Sequence, residues 1–170
     1  MSLHTLAGNQ INEHFRYSFA CSLDQVLVGC LFLFQQDGRY QAGLRVGDDS
    51  SGNFVALADG NLRDFTWVDS DPVMPINDAE VTVEIAPAAK MEVGRAATPL
   101  SLVLTASGRR LIVAHLAHQD AHPEVLYFDI ATGAQAVLDQ SEPRLVIPKW
   151  SVTIGSGLSR KELCEVRANR

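Results

Sequence analysis

Three histidines lie close together in the second half of the chain: His115, His118 and His122, with Asp120 and Glu124 interleaved. Imidazole nitrogens and carboxylate oxygens are ligands that zinc, iron and manganese accept. A strand that ends in a loop can direct several such groups at one point. These residues therefore indicate a candidate transition-metal site, and a metal held there would make the chain a metal-dependent enzyme.

The spacing of these histidines also allows a simpler interpretation. His115 and His118 point to opposite faces of an extended strand, and no helix is predicted that would bring His118 and His122 together. In that interpretation His115 is a solvated or hydrogen-bonded strand residue, whereas His118 and His122 belong to a polar loop beside Pro123. Both interpretations stay open at this stage.

Other catalytic arrangements have less support in the sequence. Neither a GxSxG nor an SxxK motif occurs, so a serine nucleophile has no recognisable setting. Cys21 and His14 could form a thiol–imidazole pair, but nothing local positions them. The catalytic residues are therefore unknown, and apart from the candidate metal we expect no cofactor.

Charge and composition narrow the class of protein and its partners. The 170 residues carry a net charge of -6, with a pI near 5.3 and a mean hydropathy of +0.03. Basic residues are scattered, and the only adjacent pairs are Arg109-Arg110 and Arg160-Lys161. Without a basic stripe, we expect no nucleic-acid partner and no membrane partner. Partners are expected to be neutral or cationic.

Cysteine usage predicts the compartment. Cys21, Cys30 and Cys164 are the only cysteines, and no CxxC motif occurs. An odd number of thiols without a motif indicates a reducing environment. We therefore expect a cytoplasmic protein. We also expect a bacterial source, which the cysteines do not address.

The elements that must position these residues are strands. A strand, turn, strand, loop, strand unit occurs at about 26–60 and again at about 98–133, with its first turns at Gly38 and Gly108. The run Ser107 to Gly133 resembles one blade of a β-propeller. Two such units are too few to close a propeller, so the resemblance implies a blade-like meander.

The pattern as a whole predicts a single all-β domain over 1–170: an antiparallel β-sandwich or flattened barrel built from the two related units. Apolar residues on both faces of 26–35, 100–104 and 111–117 favour two layers, and a face left uncovered would be covered in a homo-oligomer. Ser159 and Glu162 form a capping-box pattern, which predicts a short C-terminal helix at about 160–168.

Function follows only weakly from this pattern. The first hypothesis is a non-catalytic ligand-binding or protein-interaction β module. The alternatives are a metal-dependent enzyme with a histidine site at 115–124 and an oligomeric assembly subunit.

Overall fold

The chain folds into antiparallel sheets. The computed structural model describes residues 20–47, 52–64, 72–76, 79–82, 90–92, 97–116, 124–139, 141–155 and 160–168. These residues contain fourteen strands and one short 3-10 turn, Leu23–Gln25. The described residues contain no helix long and apolar enough to cross a membrane. The predicted all-β sandwich is confirmed.

The strands form three sheets. The first sheet has the order β4-β3-β2-β1-β5 and comprises β1 (Leu31–Gln36), β2 (Arg39–Arg45), β3 (Phe54–Ala56), β4 (Leu62–Arg63) and β5 (Met74–Ile76). The second has the order β11-β10-β9-β8-β12-β7 and comprises β7 (Lys90–Glu92), β8 (Leu102–Thr105), β9 (Arg110–Leu116), β10 (Glu124–Asp129), β11 (Gln135–Ala136) and β12 (Arg144–Ile147). The third has the order β14-β13-β6 and comprises β6 (Ala79–Thr82), β13 (Lys149–Ile154) and β14 (Lys161–Arg167).

Two four-stranded meanders lie where the sequence predicts the two related units. Strands β1 to β4 form the first meander, and β8 to β11 form the second. Their first turns use Gly38 at φ +71° and Gly108 at φ +82°, a conformation that glycine adopts without steric cost. That the two units descend from one duplicated segment stays a prediction.

A late turn of each meander docks against the other meander. In the β10–β11 turn, the carbonyl of Gly133 accepts a hydrogen bond from the Gly47 N–H at 2.9 Å. In the β3–β4 turn, the carbonyl of Gly60 accepts one from the His115 N–H, also at 2.9 Å. The two contacts are reciprocal, so each meander holds the end of a long strand in the other.

The main core lies between the sheets. It contains inward-facing residues from all three sheets, including Leu44 of β2, Ile112 of β9 and Trp150 of β13. These three side chains are at most 2% exposed. Burial of this shared core is the main force that holds the sheets together.

The outer faces of both meanders are also apolar, and each has its own cluster. On the first sheet, Phe32, Phe34 and Phe54 pack edge to face or tilted, and Leu23 and Val26 of the preceding segment cover them. The apolar faces of β1 are therefore covered within the same chain, and they require no second copy.

Trp150, Val152 and Ile154 alternate with Ser151 and Thr153, and the sequence predicts one strand over 144–154. The segment instead folds as two strands in different sheets. Pro148 lacks the N–H that a continuous ladder needs, and the chain leaves the second sheet there to enter the third. Two residues later, Trp150 Nε1 donates a 2.7 Å hydrogen bond to the carbonyl of Leu100. Leu100 is fully buried at φ +65°, and its N–H donates to the Val113 carbonyl at 2.9 Å.

The predicted C-terminal helix at 160–168 is wrong, because this segment forms strand β14. Val152 pairs with Cys164 and Thr153 pairs with Glu162, so Leu163 is an extra, bulged residue. A bulge places neighbouring side chains on one side of a strand. Leu163 and Val166 therefore reach the same core although they are three positions apart, a spacing typical of a helix.

Substitution of the turn glycines by alanine tests the reciprocal docking. In Gly108→Ala the new Cβ meets nothing within 4 Å, so we expect only the backbone cost of about 1–2 kcal/mol. In Gly133→Ala the Cβ lies 2.5 Å from Gly29 N and 2.6 Å from Arg45 O, so we expect a loss of about 3–5 kcal/mol. Urea denaturation measures the free energy of unfolding of both variants. Equal losses in the two variants would contradict the docking of the turn at Gly133.

Trp150→Phe tests the link between the third sheet and Leu100. The variant leaves a buried carbonyl without its donor, so we expect the free energy of unfolding to fall by about 2–4 kcal/mol. Ile147→Val, which removes one methylene from the same core, is the control and is expected to cost about 1 kcal/mol. Hydrogen exchange at the Leu100 amide should accelerate in the first variant only. A loss no larger than that of the control would show that the hydrogen bond contributes nothing.

Candidate functional site

His115 is the one member of the predicted histidine site that the described residues include. It lies on β9, half-buried, opposite Val125 of β10, and it forms a parallel bridge to Asn61 on its other side. His118 and His122 lie outside the described residues. Within the described residues, no group of three or more His, Cys, Asp or Glu could hold a metal ion. A metal site at 115–124 therefore stays a prediction.

Strand alternation puts His115 on the outer face of the second sheet. Ile112 and Ala114 belong to the central core, whereas Val113 belongs to the cluster on the outer face. Desolvation lowers the pKa of His115 below its ordinary value. A lowered pKa favours the neutral imidazole, which has one donor and one acceptor nitrogen.

Tyr127 lies on the same face, and among the described residues its hydroxyl has no hydrogen-bond partner. The residue is 7% exposed, and among the described residues its Oη makes no hydrogen bond. Tyr127 pairs with Val113 while Val125 pairs with His115, so Tyr127 and His115 are diagonal neighbours on adjacent strands. Such neighbours have Cα atoms about 7–8 Å apart, within reach of long side chains. A buried hydroxyl without a partner costs about 1–3 kcal/mol.

The surroundings of this pair are apolar. Val113 and Ala136 belong to the outer cluster, and Val125 and Leu138 pack against it while remaining partly exposed. Ser101, at the start of the neighbouring strand β8, is already satisfied, because its Oγ lies 3.1 Å from Thr98 Oγ1. We call Tyr127, His115, Val113, Val125 and Leu138 the outer-face site.

Among the described residues, the charged groups on this face lie away from His115 or are held by hydrogen bonds. Asp129 accepts hydrogen bonds from the N–H groups of Ala131 and Thr132 and from Arg109. These bonds outweigh desolvation and lower the pKa of Asp129. Arg144 is buried on the same face, but it lies on β12, two strands away from β9 and three from β10, which corresponds to about 10 and 14 Å.

Cys21 and Cys164 are not activated. Desolvation and the charge of Asp24 raise the pKa of the Cys21 thiol, and its suggested partner His14 lies outside the described residues. Desolvation, with a smaller contribution from Glu162, raises the pKa of Cys164 to about 12. Neither of these thiols is a thiolate at pH 7, so neither has the character of a nucleophile.

The sequence reasoning missed Tyr127. In the sequence, Tyr127 is only an aromatic residue near the end of the second unit, at about 98–133. Alternation alone places it on one face with Val125, and pairing β9 with β10 around the connecting loop would have brought it near His115. The missing information was that this outer face is covered, which turns an ordinary surface tyrosine into a buried one.

Comparison with family models, with curated proteins and with solved structures gives no significant match to this chain. Evidence for function therefore comes from the residues themselves.

Replacing His115 by glutamine tests its burial through the pH dependence of stability. A folded-state pKa below the unfolded value of about 6.5 means that the unfolded chain binds the proton more tightly, so stability falls as the pH drops below about 6.5. The variant lacks this contribution, so its loss of stability between pH 8 and pH 5 should be smaller than that of the wild type. Denaturant titrations at both pH values give the comparison. At pH 8 both side chains are neutral, so the difference in free energy of unfolding between the two proteins reports the packing effect alone. Equal losses of stability between pH 8 and pH 5 in the two proteins would contradict the burial of His115.

Proposed function

We propose that this chain is a non-catalytic ligand-binding or protein-interaction β module, and that the outer-face site binds its ligand. The observation that carries the proposal is the Tyr127 hydroxyl, which is buried without a hydrogen-bond partner among the described residues. Tyr127 lies on the strand paired with that of His115, diagonal to it in the register. Small-molecule sites are typically apolar surfaces with a few polar groups that fix orientation. The outer-face site has that composition.

The scaffold behind the site supports this proposal. Val113 and Ala114 of β9 are fully buried, and β9 is paired with β8 on one side and β10 on the other. Side chains mounted on such a strand keep their positions without a ligand, which lowers the entropic cost of binding. An element of this kind suits recognition of a small surface or molecule.

The setting of the proposed function is the bacterial cytoplasm. Cys21, Cys30 and Cys164 are all free thiols. Free thiols persist in reducing compartments and tend to oxidise outside them. No resident cofactor forms part of the proposal.

An oligomeric assembly subunit is the second candidate, and strand β14 favours it. Among the described residues β14 has a strand partner on one side only, and an open edge can pair with another chain. However, Glu165 on this strand is held by Lys149 at 2.8 Å and by Arg167, and the strand is bulged at Leu163. Charged side chains and bulges are features that protect an edge from pairing, so we rank assembly below ligand binding.

A metal-dependent enzyme remains the third candidate. It requires His118 and His122 to join His115 around one ion. Neutral His115 is competent as a ligand, because a metal binds the unprotonated imidazole.

A fragment titration followed by NMR tests the ligand-binding proposal. We expect a mixture of neutral, anionic and cationic aromatic fragments to shift the amide signals of Val113, His115 and Val125, whereas those of β1 and β2 stay in place. The double variant Tyr127→Phe/His115→Gln should lose these shifts. Fragments that shift no signal on β9 or β10, or shifts that survive in the double variant, would refute the proposed site.

Two single variants control for folding in that titration. Tyr127→Phe removes an unpaired buried hydroxyl, so its stability should equal or exceed that of the wild type. Tyr40→Phe makes the same chemical change on an exposed tyrosine of β2, which is 48% exposed. It should leave both stability and fragment shifts unchanged.

A further inference from the structure

We propose that Asp37 is a site of spontaneous covalent modification, at which the main chain rearranges from aspartate to isoaspartate through a cyclic succinimide. The chain contains two Asp-Gly pairs, Asp37-Gly38 and Asp59-Gly60. A following glycine favours this reaction, because it carries no Cβ to obstruct the approach of its nitrogen to the preceding side chain. The inference concerns the first meander and is independent of the proposed ligand site, which lies on the second.

The reaction needs no reagent other than water. The Gly38 nitrogen attacks Cγ of the Asp37 side chain and loses its proton, while one carboxyl oxygen leaves as water. Water then opens the five-membered ring. Cleavage of the bond between the nitrogen and Cγ restores aspartate, whereas cleavage of the bond between the nitrogen and the main-chain carbonyl carbon leaves the chain running through Cγ, as isoaspartate. No electrons are transferred to or from another molecule.

The turn at Asp37 is one peptide rotation away from the geometry of that ring. Asp37 and Gly38 have φ values of +52° and +71°, and they connect Gln36 and Arg39, which are paired residues of β1 and β2. Two positive φ values in a two-residue hairpin loop are typical of a type I′ turn. Rotation of the peptide plane between Asp37 and Gly38 converts this turn to type II′, in which φ stays positive at the first position. The same rotation brings the Gly38 nitrogen to the side of the main chain that carries the Asp37 carboxylate.

The surroundings of the turn allow that rotation. Asp37 and Gly38 are exposed, and a Cβ added at Gly38 would meet no described atom within 4 Å. Glycine tolerates either sign of φ, so the rotation carries no steric cost at the second position. The base of the turn is fixed meanwhile, because Gln36 pairs with Arg39 and its side chain accepts a 2.7 Å hydrogen bond from Arg63.

The second pair, Asp59-Gly60, lies in a closed setting. The Asp59 carboxylate accepts a 3.0 Å hydrogen bond from the Asn61 N–H and forms an ion pair with Arg63. The Gly60 N–H donates to the Ala56 carbonyl at 2.9 Å, and Gly60 is buried. Cyclisation at this pair must break these contacts, so the structure opposes it here.

Isoaspartate at position 37 would change the hairpin and create a new recognition feature. It adds one methylene to the main chain of a two-residue loop, and the register of a hairpin depends on the length of its loop. The pairing of Gln36 with Arg39 is therefore the first to be disturbed. The freed α-carboxylate is the group that a protein isoaspartate methyltransferase modifies, so an enzyme of that class is the partner that the modified turn would attract.

Ageing of the full-length protein at pH 7.4 and 37 °C tests the site against its internal control. Asp37 and Asp59 fall in different tryptic peptides, which end at Arg39 and Arg63, and electron-transfer fragmentation locates isoaspartate within each peptide. In the folded protein we expect isoaspartate to form about tenfold faster at Asp37 than at Asp59, because cyclisation at Asp59 breaks hydrogen bonds that Asp37 lacks the need to break. In concentrated urea, where both turns are unfolded, the two rates should be similar.

Asp37→Glu is the matched variant. It keeps the charge, but its longer side chain cannot close a five-membered ring. On ageing it should therefore lose most of the gain in methyl transfer from S-adenosylmethionine, catalysed by an isoaspartate methyltransferase, that the wild type shows.

Three results would overturn the inference. Equal rates at Asp37 and Asp59 in the folded protein, or a difference that persists unchanged in urea, would show that the fold does not select between the two pairs. Formation of isoaspartate at Asp37 in urea but not in the folded protein would show that the turn protects this pair.

Discussion

The structure depends on the backbone at Leu100. An L-residue at φ +65° costs about 1–2 kcal/mol relative to a regular strand conformation, and Leu100 adopts it while fully buried. Three contacts offset this cost: its N–H donates to Val113, its carbonyl accepts from Trp150, and its side chain packs against the turn at Gly60. One residue thereby joins the second sheet, the third sheet and the last turn of the first meander. The position of β9, and hence of His115, depends on that junction.

Much of the fold could be predicted because local chemistry and global pairing agree. Gly38 and Gly108 lie in tight turns at positive φ, a conformation that favours glycine. The alternation of apolar and polar residues on either side of each turn defines the strands of both meanders. Sequence reasoning failed where tertiary context overrides local pattern. Pro148 divides a stretch that is predicted to form one strand, and the bulge at Leu163 gives a strand the spacing of a helix. A bulge exists only relative to a partner strand, so one strand's sequence cannot reveal it.

The candidate site was less predictable than the fold, for a related reason. His115 drew attention through its sequence neighbours, whereas the structure pairs it with a residue on the next strand, Tyr127. A hydroxyl is unremarkable in a sequence and becomes informative only when it is buried without a partner. Strand pairing also explains why the outer face combines an apolar lining with two polar groups. The same alternation that sends Ile112 and Ala114 into the central core sends Val113 and His115 outward.

The antiparallel pairing of β13 with β14 has a consequence for mechanical resistance. A force applied to the chain beyond β14 would act across the ladder and break its hydrogen bonds one pair at a time, which is the weakest loading geometry for a sheet. Peeling would then proceed along β13 until the load reached Trp150, whose indole is anchored to another sheet. Beyond it, Pro148 turns the chain into β12, which is paired on both sides with β8 and β7. From that end of the chain, Trp150 is therefore the first described side chain whose hydrogen bond joins the third sheet to the segment before β8.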